Sequence, residues 1–129
     1  MNEDQLRDIL SKKLGVELNS TKADPYCYHD AYNAEYTVEL KCRRKHYSTQ
    51  MIEKHKVNTN TGDTKTFLYV VSTPAGIFGF DISSLLASDY NFNWETKKLP
   101  ATTDFGRTKW IDKVVGYIDV ADAFFEEEL

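Results

Sequence analysis

Cysteine is scarce in this chain. Cys27 and Cys42 are the only two, too few for the disulfide framework of a small secreted domain, and both are expected to be free thiols in a reducing compartment. Long apolar runs are missing as well. No stretch approaches the roughly 18 to 20 apolar residues that cross a bilayer, and the opening MNEDQLRDIL carries acids where a signal peptide carries Lys or Arg. A cytoplasmic protein without a membrane partner is expected. There is no internal repeat and no linker, so residues 1–129 are read as one domain, and 41% hydrophobic residues suffice for one core.

Positive charge is in the minority, with 16 Lys and Arg against 20 Asp and Glu and a net charge of -4. Spread evenly, that balance would argue against an anionic polymer as partner. It is not spread evenly. Lys41, Arg43, Arg44, Lys45, Lys54 and Lys56 crowd into 41–56 beside a single acid, Glu53. One basic face on an acidic body is the expectation.

Asn2 and Gln5 have capping-box spacing, and Leu6, Ile9, Leu10 and Leu14 share a helical stripe that Gly15 can stop, which predicts a helix over 2–14. The segments 26–32 and 35–44 read as a strand hairpin turning at Asn33-Ala34. Ser48 or Thr49 is expected to cap a second helix through Met51, Ile52 and His55, ending before NTNTGD at 58–63. Two short strands, 67–72 and 77–82, flank the turn sequence Thr73-Pro74-Ala75-Gly76. Beyond them, a helical piece at 83–88, strands near 92–98 and 113–118 and a last helical turn are expected. The fold class is α/β (α+β), a central mixed sheet flanked by helices in the order α-β-β-α-β-β.

Alternation along 35–44 points Thr37, Glu39, Lys41 and Arg43 one way and Tyr36, Val38, Leu40 and Cys42 the other. A two-residue turn would pair 32 with 35, 30 with 37 and 28 with 39, placing Asp30 on the face of Glu39 and diagonal to it. Two carboxylates and a lysine would then converge. Such a set suits phosphodiester hydrolysis: hard oxygen ligands hold Mg²⁺, and a lysine orients water and offsets phosphate charge.

An acid-x-Lys triplet is weak by itself, since chance gives about two in a chain this charged. Three occur. Asp63-Thr64-Lys65 lies in a turn-rich stretch where Asp serves the backbone. Glu95-Thr96-Lys97, with Asp81 before it, lacks the bulky apolar neighbours and the basic segment that accompany Glu39.

The run HDAYNAEYTVELKCRRKHY, followed by TQMIEKHK, resembles the PD-(D/E)XK nucleases, and in particular their small phage-type members. Asp30 follows His29 in place of the proline that names that family. The resemblance implies a restriction-endonuclease-like core and a Mg²⁺-dependent deoxyribonuclease, with Mn²⁺ as substitute. It assigns the metal to Asp30, Glu39 and the backbone of Leu40, and the catalytic roles to Asp30, Glu39 and Lys41. It also implies DNA as partner, a homodimer if two strands are cut, and the host cytoplasm if the protein is phage-encoded. An acid from the first helix often joins such sites, for which Glu3, Asp4 and Asp8 all qualify. Arg43, Arg44, Lys45, Gln50 and Lys56 are expected to meet the nucleic acid, Arg43 foremost because it shares the Glu39 face; Glu53 is a further second-helix candidate. Two other classes compete: a non-catalytic nucleic-acid-binding or host-interaction module on the same fold, and a zinc module using Cys27, His29, Cys42 and His46, whose spacing lacks the usual close Cys pair.

Overall fold

Asn2 and Gln5 close the capping box, each side-chain oxygen accepting the other residue's backbone N–H at 2.9 Å. Helix α1 (Glu3–Leu14) follows and ends at Gly15, whose φ of 69° is the left-handed stop. The computed structural model describes residues 1–24, 27, 29–62, 64–100 and 109–128. After α1 come β1 (Asn19–Ser20), β2 (Ala31–Tyr32), β3 (Tyr36–Cys42), β4 (Thr49–Glu53), α2 (Lys54–Asn60), β5 (Thr66–Thr73), β6 (Gly76–Asp81) and α3 (Ile82–Ala87). Then follow β7 (Glu95–Pro100), β8 (Trp110–Asp119), a 3₁₀ turn (Val120–Asp122) and β9 (Phe125–Glu127).

The described strands form two sheets, one mixed in the order β1-β2-β3-β5-β6-β9 and one antiparallel in the order β4-β8-β7. In the larger sheet β3 and β5 run parallel, from Tyr36 opposite Thr66 to Cys42 opposite Ser72. A parallel pair needs a crossover, and here β4 and α2 supply it. β5 is buried on both faces, as an interior parallel strand requires. Its Leu68 and Val70, with Val38 and Leu40 of β3, pack under Leu6 and Leu10 of α1. Its Phe67, Tyr69 and Val71 join a second core with Ile52, Val57, Phe80 and Ile118. Glu39 and Lys41 alternate with Val38 and Leu40 and therefore face the second layer.

The mixed α/β class, α1, the β5–β6 hairpin and α3 match the sequence reading, and no helix among the described residues is long and apolar enough to cross a membrane. Three expectations need correction. Thr49–Glu53 is a strand, not the start of a helix. Gln50 and Ile52 point inward and the segment pairs with Val115–Asp119, a partner more than sixty residues away that outweighs local preference. The β2–β3 hairpin has Ala31 opposite Val38 and Tyr32 opposite Thr37, a register two residues from the one expected. Asn33 is the cause: its Oδ1 accepts the N–H groups of Glu35 and Tyr36, both at 2.8 Å, and so builds a longer turn. Near the acidic end, the expected helical turn is the 3₁₀ turn, and Phe125–Glu127 then pairs with Ile77–Gly79 as a strand.

Gly116 of β8 lies opposite Ile52, and a Cβ there would meet the Trp94 ring at 2.7 Å and Phe92 Cβ at 2.8 Å. Gly116→Ala is expected to cost about 1–3 kcal/mol by overpacking and to lower the melting temperature by several degrees. Calorimetry of the variant checks this, and an unchanged melting point would mean that the aromatic layer yields without strain.

Candidate active site

The β2–β3 ladder stops at Ala31, one residue after the first candidate acid. Asp30 N–H still donates to the Val38 carbonyl at 2.8 Å, and the Asp30 carboxylate takes over as strand partner, its Oδ2 accepting Leu40 N–H at 2.8 Å. The two-residue register shift is even, so Asp30 keeps its place beside Glu39.

Glu39 sits opposite Tyr69 in the parallel ladder, with its side chain only 14% exposed. Lys56 of α2 approaches its Oε1 at 3.7 Å, while its Oε2 is buried without a hydrogen-bond partner among the described residues. Burial and then the neighbouring Asp30 push the Glu39 carboxyl up to about 8, against the pull of Lys56 and Lys41. The carboxyl is therefore much harder to ionise than a solvated one. Lys41, half-buried on the same face, makes no ion pair and no hydrogen bond through its ammonium among the described residues.

Among the first-helix acids, Glu3 is the one that feels the charges of Asp30 and Lys41. Burial and then Asp30 raise its carboxyl, while Lys22 and Lys41 pull it down. Asp4 is engaged elsewhere, with Lys22 Nζ at 2.7 Å and Arg7 at 3.1 Å, and the Lys22 hydrogen bond holds its carboxyl below the usual range. Asp8 lies 4.0 Å from Arg7.

Arg43 shares the Glu39 face but turns partly inward. Its Nη2 donates to the Met51 carbonyl at 3.0 Å and to Tyr69 Oη at 3.1 Å, and its Nε is buried without a partner among the described residues. The Tyr69 hydroxyl donates to the same Met51 carbonyl, and burial pushes it up to about 12 although Arg43 opposes the shift. Arg44 and Lys45 are exposed beyond the end of β3. Gln50 is a correction: it is fully buried in β4, its Nε2 donating to the Tyr47 carbonyl at 2.8 Å, and an interior strand position cannot touch a polymer at the surface. Glu53 is held by Lys113 at 2.7 Å.

The rival sets are not assembled. Asp81 caps α3 by accepting Ser84 N–H at 2.9 Å, and Glu95 accepts the Tyr117 hydroxyl. Asp63 lies outside the described residues. Of the zinc candidates, Cys27 approaches His29 with Sγ 3.4 Å from Nε2, but Cys42 packs on the α1 side and His46 bonds Thr73. Among the described residues no three His, Cys, Asp or Glu side chains are grouped to hold a metal ion.

In front of Glu39 and Lys41 opens a cleft of ≈ 680 Å³, walled by α2 on one side and by the β7–β8 ribbon on the other. Sequence reasoning missed the ribbon's part because nothing local in 95–119 signals which strand it will flank. No protein-family model matches the chain, and neither a curated protein nor a solved structure is significantly similar to it.

Glu39 makes stability depend on pH. Its folded value lies above the unfolded value of 4.5, so the folded state holds the extra proton between the two and stability falls as pH rises from about 4.5 through about 8. Glu39→Gln cannot ionise. In chelator the variant is expected to match the parent near pH 4.5 and to be more stable at pH 8.5 and above, by on the order of a few kcal/mol. Urea unfolding at the two pH values checks this, and equal stability throughout would show that Glu39 ionises freely in the fold.

Proposed function

We propose that the chain is a metal-dependent nuclease that hydrolyses DNA phosphodiester bonds, with Asp30, Glu39 and Lys41 as its active centre. One observation carries the reading: among the described residues a buried carboxyl oxygen of Glu39 has no hydrogen-bond partner while a second carboxylate and a lysine stand beside it. A fold has little use for an orphaned acid next to another acid, and perturbed groups of this kind gather at functional sites.

The donor set suits Mg²⁺. That ion needs only one or two carboxylates and completes its octahedron with water and substrate phosphate, so a pair of acids suffices without a third. Asp30, Glu39 and the Leu40 carbonyl would hold it, with Glu3 near enough to bias the charge. Bound there, Mg²⁺ or Mn²⁺ supplies positive charge against the phosphate and a water of lowered pKa.

The chain's own residues do the positioning. Leu40 N–H fixes the Asp30 carboxylate, the β3–β5 ladder fixes Glu39, and burial raises the Glu39 carboxyl, whose charged form a bound cation would favour. Lys41 brings an ammonium to the same face, where it hydrogen-bonds an incoming water or a phosphate oxygen as negative charge grows. The observed order α1, β1, β2–β3, β4, α2, β5 inserts β1 and β4 into the expected series, and Glu39 and Lys41 on the second hairpin strand are what supports the resemblance to the PD-(D/E)XK nucleases. Cutting both strands of a duplex would call for a homodimer, since one such domain carries one centre.

Cleavage is expected in Mg²⁺ or Mn²⁺ and not in Ca²⁺, whose looser coordination gives poor in-line geometry. Loss of a ligand carboxylate in Glu39→Gln should slow cleavage at least roughly a hundredfold, while Glu95→Gln should leave it unchanged. Gel assays of the three proteins decide the matter. Full activity in excess chelator would sink the metal reading, and DNA binding that is equal with and without Mg²⁺, with no cutting, would favour a pure binding module.

A further inference from the structure

The charges around the cleft do not cancel evenly. Its two acids other than Glu39 are engaged, Glu53 by Lys113 at 2.7 Å and Asp112 by Lys98 at 3.3 Å. The α2 and β3 wall carries Lys41, Lys54 and Lys56, of which Lys56 lies 3.7 Å from Glu39 and Lys54 stands over the Trp94 ring. Opposite them the cleft is lined by Pro100, Ile111 and Val114, the last of these 41% exposed, and by Asp112 and Lys113, each held in an ion pair. Behind this wall the cleft continues into a recess of ≈ 250 Å³ that Arg43 lines, and Arg43 Nε is buried and unpartnered among the described residues. Cations on one wall and apolar side chains on the other are what a single nucleic-acid strand uses, phosphates on the first and bases or sugars on the second.

Size narrows the occupant further. A space of ≈ 680 Å³ is that of a small-molecule site, room for one or two nucleotides. A B-form duplex, whose major groove alone is roughly 12 Å wide, does not fit inside. Glu39, only 14% exposed on the cleft floor, is out of reach of a duplex lying flat on the rim. We propose that this cleft admits one unpaired strand at a time, so that the nuclease inferred above acts on single-stranded DNA or on unpaired ends and branches. The inference rests on that nuclease reading for its chemistry, and on the shape and charge of the cleft for its substrate.

Anisotropy with a labelled 15-nucleotide single strand, the same sequence as a blunt duplex, and a duplex with an overhang tests the proposal in Ca²⁺, where no cutting is expected. The single strand and the overhang should bind at least tenfold more tightly than the blunt duplex. Val114→Asp places a like charge on the ribbon wall and should weaken single-strand binding tenfold or more with an unchanged melting point. Leu86→Asp makes the same change of charge on α3, at a site 37% exposed that does not line the cleft, and should have no effect. Equal affinity for blunt duplex, or no difference between the two variants, overturns the proposal. The same proteins in Mg²⁺ separate it from the nuclease reading: efficient cutting of blunt duplex discards the cleft and keeps the chemistry, while selective strand binding without cutting discards the chemistry and keeps the cleft.

Discussion

Parallel pairing of β3 with β5 obliges the chain to leave one end of the larger sheet and return at the other. What it does on that excursion builds the site. β4 founds the second sheet, and its Met51 carbonyl is fastened to Tyr69 and Arg43. α2 then lays Lys56 across Glu39. Without the crossover Glu39 and Lys41 would face solvent as ordinary surface charges, and the desolvation that lifts the Glu39 carboxyl would not arise.

The burial of Glu39 sets stability against function. A carboxyl kept from water beside another carboxylate is poorly accommodated when charged, and that discomfort predisposes it to a cation. Lys41 and Lys56 relieve part of it but leave one oxygen without a partner among the described residues. Two strands and a helix hold the group in place, so the conflict is maintained by the sheet and not relaxed by a rotamer change.

Much of the site's pairing was legible because it depends on parity. Asp30 and Glu39 stay together whether the hairpin turns over two residues or four, since a slip of two leaves every side chain on its own face. The capping box at Asn2 and the Thr73-Pro74-Ala75-Gly76 turn were legible for a related reason: a few adjacent residues settle each. β4 was not. Thr-Gln-Met-Ile-Glu supports a helix start or a strand equally well, and only pairing with Val115–Asp119 decides. The same long-range step hid the interior position of Gln50 and the ribbon wall of the cleft. Arg43 read correctly as to face and incompletely as to partner, because Tyr69 and Met51 reach it from strands far away in sequence. Glu3 could not be separated from Asp4 and Asp8 until Lys22 and Arg7 were seen to claim Asp4.

The exposed rims of both sheets bear on how the protein behaves in crowded solution. β1 offers two residues and β9 three, two of them Glu126 and Glu127, while β7 carries Glu95, Lys97 and Lys98 along its free side. On β4 the Arg43 guanidinium and the Tyr69 hydroxyl already occupy the Met51 carbonyl. Short or charged rims and a blocked carbonyl leave little uninterrupted backbone for a neighbouring molecule to add a strand. Among the described residues, the strand edges of a chain so rich in aromatic and β-branched residues are thus poor templates for fibrillar self-association.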